Sequence, residues 1–434
     1  MIRLIGKTAL CMVLISGVVF PGCKSESGKP DSGEVAPRPV SDITIMWYLD
    51  GDNNLESNVL ADLNEAETVD LRDKNIKIIV LADRIGGYSA VDDNWTDTRA
   101  YELGFDEKGY NLILSDSTRR ISIPELGIEA DDRTECNMGD PATLSAFIRF
   151  CRENYPSEMT MLVMSDHGGG WRRTSSAGSN PRHAALTLRD ISIDETSRGD
   201  SLSIREFSDA IADATDGQKI DLVLFDACIM GMVEVGYEIR NNVRYMVAST
   251  ENVPLSGFPY RQILSHMGSL DNAAPRPVAE LCARDYYNSY TTGDSVDNPG
   301  GMYSVTVSAV DLSYMEQIAA ELNTLASSII GEGTYPERAQ VQEYGDEKEN
   351  IDIGDYCRLL SLSGRSGYSN LNTIQDLLRS SVIAHYEDPF YSVHTGLSVF
   401  FPDTLTDVTD YAASNLSFVS AAPQWAELVG ISAR

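Results

Sequence analysis

The chain has 434 residues, of which 42 % are hydrophobic, and this suits one large or two ordinary domains with a substantial core. A largely disordered protein is therefore excluded. Lys and Arg total 34 against 65 Asp and Glu, which gives a formal net charge of −31. We expect such an acidic chain to bind neither nucleic acid nor anionic lipid, and to attract cationic substrates.

The first segment of the chain predicts export. Arg3 and Lys7 precede an apolar stretch over residues 8–20, as in the positively charged and apolar regions of a secretory signal. The apolar stretch is too short for a comfortable membrane span. We therefore interpret residues 1–22 as a signal peptide.

The end of this signal resembles the lipobox of bacterial lipoproteins, in which a cysteine is acylated and becomes the mature amino terminus. The motif here is Pro21-Gly22-Cys23, although Phe20 and Pro21 depart from the usual small or aliphatic residues. Residues 23–41 are rich in Ser, Gly, Pro and charge and predict a flexible tether. We expect an exported cell-envelope lipoprotein, at the outer membrane or cell surface, that meets the membrane only through acylated Cys23.

Beyond the tether, apolar runs alternate with amphipathic stretches. Strand-helix-strand alternation of this kind predicts an α/β fold with a mostly parallel sheet and helices on both of its faces. The predicted strands cover residues 43–49, 76–82, 159–164, 220–225 and 245–249. The predicted helices cover residues 55–71, 141–154, 203–214 and 229–241.

Two regions break this alternation. Residues 86–123 are polar and turn-rich, which indicates hairpins, and residues 171–200 form a long polar loop. After about residue 270 the pattern becomes helical, and it predicts one last strand at residues 395–401. We therefore predict a catalytic domain over residues 42–270 and a mainly helical region over residues 271–434 that packs on the same sheet.

A histidine and a cysteine each follow a predicted buried strand. The carboxyl ends of parallel strands meet at one edge of a sheet, so His167 and Cys228 are expected to share a crevice there. Cys228 also precedes a predicted helix, whose amino terminus would lower the pKa of the thiol. Glycines after His167 leave the backbone N–H of Gly168 free to stabilise an oxyanion. A thiol and an imidazole at one edge predict a cysteine peptidase.

Simpler interpretations of both residues stay open. A cysteine beside a strand is often only a small buried apolar side chain, and a tight turn can follow a histidine by chance. Their separation along the chain is close to the roughly 50-residue spacing seen in caspases, which favours the catalytic interpretation.

The other cysteines do not indicate a metal site. Of seven cysteines, one lies in the signal and one is the predicted anchor, so five remain in the exported domain. With an odd number, at least one thiol stays unpaired unless it bonds another chain. Their spacing does not resemble a zinc site, so no metal ligand is assigned. The five are Cys136, Cys151, Cys228, Cys282 and Cys357.

Four segments, taken in order, resemble the clostripain family of cysteine peptidases (peptidase family C11), which has a caspase-like fold. The resemblance implies that His167 and Cys228 are a catalytic dyad acting through an acyl-enzyme, with the N–H groups of Gly168 and Cys228 as the oxyanion hole. It implies no cofactor for the chemistry. The segments cover residues 46–56, 135–141, 165–171 with 224–234, and 395–402.

The same resemblance implies cleavage after Arg, with Lys as the alternative, in protein or peptide substrates. In such enzymes the acidic residue two positions before the nucleophile, here Asp226, lies in the specificity pocket. The alternative is that Asp226 caps the following helix. Ser249, Thr250 and Glu251 follow the next strand, where the family pairs with extended substrate, although Glu251 equally well ends the strand.

Maturation by clipping between the histidine and cysteine segments is also implied by the family. The polar loop over residues 171–200 contains several arginines, and Arg182 lies centrally in it. We expect Arg182 to be the self-cleavage site, and the alternative is an ordinary surface loop.

Two acidic clusters raise the expectation of calcium, because clostripain itself is calcium-dependent. They are residues 50–54, and Asp194 and Glu195 with Asp200. No EF-hand spacing is present, so solvated turns and helix caps are the alternative.

Two rival functions remain at this point. One is the same dyad with a preference for non-basic residues. The other is a catalytically inactive lipoprotein that uses the fold as a binding module. In either case we expect a monomer.

Overall fold

The computed structural model describes residues 40–171, 190–270, 274–291, 304–333, 340–346, 348–364, 367–391, 393–402 and 408–432. These residues belong to a compact unit that begins at Arg38. The predicted signal and tether, with Cys23, lie outside the described residues, and so does Arg182. Among the helices of the described residues, none has the length and apolar character needed to cross a bilayer.

The described chain alternates strands and helices from its start. The strands are β1 (Ser41–Gly51), β2 (Ile76–Arg84), β3 (Arg99–Glu102), β4 (Arg119–Ile121), β5 (Ser157–Ser165), β6 (Ile191–Asp194), β7 (Asp200–Leu202), β8 (Ile220–Asp226), β9 (Val243–Ala248), β10 (Thr306–Asp311), β11 (Glu343–Tyr344), β12 (Asn350–Asp352), β13 (Val382–Glu387) and β14 (Ser398–Phe400). The α-helices are α1 (Glu56–Glu67), α2 (Pro141–Asn154), α3 (Ile204–Thr215), α4 (Val233–Ile239), α5 (Tyr260–Met267), α6 (Pro275–Thr291), α7 (Met315–Glu332), α8 (Ile353–Leu362), α9 (Leu371–Ser381), α10 (Thr409–Ala413), α11 (Ser417–Ala421) and α12 (Pro423–Ser432).

A mostly parallel sheet forms the centre of this unit. Its nine strands lie in the order β13-β10-β9-β8-β5-β1-β2-β3-β4. The five middle strands, β9 to β2 in this order, pair in parallel. Antiparallel strands extend the sheet at both edges. The predicted fold class, a mostly parallel sheet flanked by helices, is confirmed.

Side chains that alternate along each strand separate the two cores of the molecule. In β1, Met46 and Tyr48 belong to one apolar cluster, whereas Ile45 and Trp47 belong to the other. Because successive side chains of a strand point to opposite faces, the two clusters lie on opposite faces of the sheet. Helices α2, α3, α4 and α7 contribute to the first cluster and α1, α5 and α6 to the second. The sheet is therefore covered on both faces, as its near-continuous apolar strands require.

The C-terminal region differs from the prediction in its strands. It extends the central sheet with β10 and β13, which the sequence analysis did not anticipate. The last predicted strand exists as β14, but it pairs with β12 in a separate three-stranded sheet. Each of these strands has six residues or fewer. Such short runs beside strong helical patterns have little periodicity of their own.

Candidate active site

The histidine and cysteine segments leave the sheet side by side. Strands β5 and β8 pair in parallel, with Ser165 opposite Asp226 as the last paired residues. His167 and Cys228 each follow two residues later, so they leave adjacent strand ends at the same level. Both line one cleft of about 420 Å³. The structure thus brings together the two residues that the sequence predicted would meet.

Gly168 holds the two segments in close contact. A Cβ atom at this position would lie 2.6 Å from the carbonyl oxygen of Cys228 and 2.9 Å from its backbone nitrogen. Real Cβ atoms do not approach backbone this closely, so only glycine fits here. The backbone after His167 therefore packs directly against the backbone of Cys228.

Asn54 contacts the imidazole of His167 and was missed by the sequence analysis. Its Oδ1 lies 2.8 Å from Nε2 of His167. With this oxygen as acceptor, Nε2 carries the proton and Nδ1 is the basic nitrogen. Burial lowers the pKa of His167 to about 4, so the ring is neutral around pH 7. Asn54 lies two residues before the start of α1, within a segment that carried the family resemblance, but a contact across 113 residues has no local sequence signal.

The thiol of Cys228 is neutral in this structure. Burial, together with the smaller effect of the negative charges of Asp226, Glu251 and Asp346, raises its pKa to about 11. Its Sγ accepts a hydrogen bond from the backbone N–H of Val253 at 3.3 Å, which acts in the opposite direction. The prediction of a lowered pKa was wrong in this conformation.

The reason for this error is where the next helix begins. Helix α4 starts at Val233 rather than directly after Cys228, so its amino terminus does not adjoin the thiol. The intervening turn includes Ile229 with a positive φ of 60°. Its shape is fixed by backbone hydrogen bonds from Ile229 and Gly231 to the carbonyl oxygens of Glu251 and Ser249.

The predicted role of Ser249 and Thr250, pairing with extended substrate, needs only backbone groups and stays a prediction. Both side chains are fully buried, lie outside the lining of the cleft and bond the hydroxyl of Thr306. The carboxylate of Glu251 also lies outside that lining, and it accepts the backbone N–H of Gly345 at 3.2 Å. The three residues support the cysteine turn and one wall of the cleft instead of facing it.

Asp226 lines the cleft and does not cap a helix. Its Oδ2 accepts hydrogen bonds from the hydroxyl of Tyr260 at 2.7 Å and from the backbone N–H of Phe258 at 3.1 Å. The cap interpretation is wrong, because α4 begins seven residues further on with Met232 as its N-cap. Burial raises the pKa of Asp226 to about 6.

Three other parts of the chain complete the cleft. Helix α1 and its preceding turn form one wall and the segment after β9 forms the second. The third wall comes from the C-terminal region, whose contribution the sequence analysis did not predict. The lining residues of these walls are Leu55, Asn58, Val59, Asp62; Asn252, Val253, Pro254, Leu255, Gly257; and Tyr344, Gly345, Asp346, Lys348, Glu349, Asn350, Phe400.

Comparison with known proteins identifies the family. The family model described as the clostripain family, peptidase family C11, matches residues 47–428. The chain belongs to the clostripain family. As a member it is a cysteine endopeptidase, it acts on peptide bonds, and its chemistry needs no cofactor. Clostripain of Hathewaya histolytica is 27 % identical over an alignment of 409 residues that covers 83 % of this chain and 74 % of that protein.

Solved structures of clostripain-family proteases share the fold. A secreted C11 cysteine protease of Bacteroides thetaiotaomicron in complex with an irreversible peptide inhibitor has a TM-score of 0.64 and 21 % identity. An inactive zymogen C11 protease of Parabacteroides distasonis has a TM-score of 0.64 and 18 % identity. Each alignment covers 88 % of this chain and 99 % of the other. At this identity the likeness shows that the fold is the same.

Two of the acidic residues expected to bind calcium, Asp52 and Asp194, come together in the structure with a third, Asp83. Carboxylate oxygens of Asp52, Asp83 and Asp194, all buried, lie within 4.8 Å of one another. Burial, together with its neighbour Asp194, raises the pKa of Asp52 to about 8. Asp200 does not belong to this group; its Oδ2 accepts a hydrogen bond from Nδ2 of Asn137 at 2.7 Å. Asp83 was not anticipated, because it lies near the end of β2 and looks like an ordinary strand-end residue.

Proposed function

We propose that Cys228 and His167 are the catalytic dyad of an exported endopeptidase that cleaves after Arg, with Lys as the alternative. The observation that carries this proposal is the convergence of adjacent strand ends, in which Ser165 pairs with Asp226 and the two reactive side chains follow into one cleft. A peptide laid in that cleft meets the thiol and the imidazole together.

The chemistry proceeds by acyl transfer with His167 as the proton carrier. As Sγ of Cys228 attacks the scissile carbonyl carbon, Nδ1 of His167 takes the thiol proton. The pKa values of about 11 and about 4 disfavour a preformed ion pair, so this transfer accompanies the attack. His167 then protonates the leaving amine, and afterwards takes a proton from the water that hydrolyses the thioester.

Backbone donors and one side chain support these steps. The N–H groups of Gly168 and Cys228 stabilise the tetrahedral oxyanion, and the close packing of Gly168 on the backbone of Cys228 supports this assignment. Asn54 holds Nε2 of the imidazole, which orients Nδ1 toward the thiol. Asn54 is thus a positioning residue.

Asp226 supports the preference for basic side chains. It is a buried carboxylate that lines the cleft, where a guanidinium or ammonium would form charge-assisted hydrogen bonds. The excess of acidic residues over the whole chain attracts such substrates as well. Turnover of fluorogenic peptides with Arg, Lys, Asn, Asp or a neutral residue at the cleavage position tests this. Efficient turnover of only the neutral or acidic peptides would contradict basic specificity and leave the dyad in place.

Self-processing at Arg182 is the second part of the proposal. Trp171, eleven residues before Arg182 in the sequence, lines the same cleft as the dyad, which supports this proposal. Intact mass measurement of wild type and of Cys228→Ala decides the matter. We expect two fragments, produced by cleavage after Arg182, only in the wild type. The same fragments in both proteins would mean that another protease makes them.

We further propose that Asp52, Asp83 and Asp194 hold Ca²⁺. The donor set fits, because calcium prefers oxygen ligands and these three carboxylates offer oxygens within 4.8 Å of one another. Calcium there would neutralise the carboxylates and stabilise the fold, and it would take part in no step of the reaction. Thermal unfolding with calcium and with a chelator tests this, and Asp194→Asn should remove any stabilisation. Equal midpoints with calcium and chelator in the wild type would contradict it.

Localisation completes the proposal. We infer a monomeric lipoprotein of the cell envelope, attached through Cys23 and a tether over residues 23–41, because the sequence carries a signal pattern and a Gly-Cys pair. Fractionation with mass analysis of the amino-terminal peptide tests the anchor. Loss of membrane association in Cys23→Ala is expected, and unchanged association would contradict lipidation there.

A further inference from the structure

A second carboxylate lines the same cleft as the proposed specificity residue. Asp62 lies on α1, is only 7 % exposed, and is one of the residues that line the cleft. Asn58 and Val59, four and three residues earlier, line the cleft too. Positions with this spacing share one helix face, so the helix presents Asp62 on its cleft side.

Tyr260 connects Asp62 with Asp226. One turn after Asp62, Oε2 of Glu65 accepts the backbone N–H of Tyr260 at 3.2 Å, which fixes the start of α5 against α1. The hydroxyl of Tyr260 donates to Oδ2 of Asp226 at 2.7 Å. Burial, then the charge of Asp226, then that of Asp62 raise the pKa of Tyr260. The two carboxylates therefore act on the same phenol from different elements.

Asp226 alone offers few acceptors to a cation. Two donors already occupy its Oδ2, and within the part of the chain that the structure describes only Oδ1 is left without a donor. Gly257, with a positive φ of 56°, packs closely against this carboxylate and closes one side of it. A guanidinium has five N–H groups in a planar fork, so it needs further acceptors on a second edge.

The geometry points to Asp62 as a second specificity-determining residue, which accepts the other edge of an arginine guanidinium and makes the pocket prefer Arg over Lys. This inference rests on the proposed cleavage after basic residues. A lysine ammonium is a compact charge on a different stem and is satisfied by fewer fixed acceptors. Loss of Asp62 should therefore weaken Arg substrates more than Lys substrates, whereas loss of Asp226 should weaken both.

The test compares kcat/KM for matched fluorogenic peptides with Arg or Lys at the cleavage position, using the full exported chain. In Asp62→Asn the ratio of Arg to Lys turnover should fall about ten-fold or more. Asp209→Asn, which removes an exposed charge on α3, should leave the ratio unchanged. The rate at which iodoacetamide alkylates Cys228 should be the same in all three proteins, because the nucleophile is untouched.

Each outcome decides between the proposals. An unchanged ratio in folded Asp62→Asn overturns the role of Asp62 while leaving basic specificity intact. Wild-type protein that turns over neither basic peptide overturns the basic specificity and this inference with it. Should Asp62→Asn fail to fold, Asp62→Glu keeps the charge but moves it, and the ratio should still fall about three-fold. An unchanged ratio in that variant likewise overturns the role of Asp62.

Discussion

The two sides of the cleft originate in different ways. The reactive side is made by the ends of β5 and β8, where His167 and Cys228 leave neighbouring parallel strands. The opposite side is made by residues 344–346 and 348–350 of the C-terminal region, far away along the chain. The first side follows directly from strand topology. The second depends on individual contacts across the fold.

Those contacts are few and specific. Glu251 accepts the backbone N–H of Gly345, and the Nδ2 of Asn252 donates to Asp346 at 3.0 Å. Both attach the C-terminal wall to the segment after β9. The dyad and the wall that encloses the substrate are therefore carried by separate elements of the fold. Substitutions in one should leave the other largely unaffected.

Removal of the nucleophile should have the largest effect. Cys228→Ala should lower peptide turnover by about 10⁴-fold or more, because no other group of the cleft forms the acyl-enzyme. Steady-state kinetics with an Arg peptide measures this. Cys136→Ala serves as a control for loss of a free thiol, since Cys136 is buried and hydrogen-bonded to Leu126 away from the cleft. Comparable loss in the control would mean that the fold and not the nucleophile is affected.

Substitution of the positioning residue should cost less. In Asn54→Ala we expect kcat to fall by about 10- to 100-fold with KM nearly unchanged, because the imidazole loses its orientation but remains present. The control is Asn75→Ala. Asn75 is exposed, directly precedes β2 and donates a hydrogen bond to Asp42, so this variant should keep wild-type kcat. If KM rises while kcat is retained, Asn54 contacts substrate and does not position His167.

The C-terminal wall should respond in the opposite manner. Glu251→Ala removes the acceptor of the Gly345 N–H, and we expect KM to rise about 3- to 10-fold with a smaller change in kcat. Iodoacetamide alkylation of Cys228 should be no slower than in the wild type, because the charge of Glu251 raises the pKa of the thiol and its removal acts in the opposite direction. A loss confined to kcat would contradict the separation of the two sides.

The smallest effect is a pH dependence specific to basic substrates. Burial raises the pKa of Asp226 to about 6, so the carboxyl is neutral below this pH and charged above it. The kcat/KM for an Arg peptide should therefore rise a few-fold as pH increases from about 5.5 to 7, and a neutral peptide should lack this step. Asp226→Asn should lose the step as well. The same step on neutral peptides would assign it to another group.

Much of the reactive side could be predicted from sequence. The apolar runs at residues 43–49, 159–164 and 220–225 are buried on both faces, so composition alone identifies them as parallel strands. Once parallel pairing is assumed, residues beyond the strand ends must lie at one edge. This is why His167 and Cys228 were found together.

The remainder depends on contacts that have no local pattern. The turn after Cys228 is shaped by hydrogen bonds from Ile229 and Gly231 to the segment after β9, which override the helical propensity expected there. The error in the helix start then produced the error in the thiol pKa. Likewise Asn54 looked like part of an acidic turn, because only the folded chain brings it to His167.

Covalent labelling tests the central claim most directly, namely that thiol and imidazole act together in one cleft. Wild type and His167→Ala would be treated with a chloromethylketone carrying arginine, and the adduct located by peptide mapping. We predict a single adduct on Sγ of Cys228, formed about 100-fold or more slowly in His167→Ala. An adduct on another residue, or equal rates in the two folded proteins, would contradict the account.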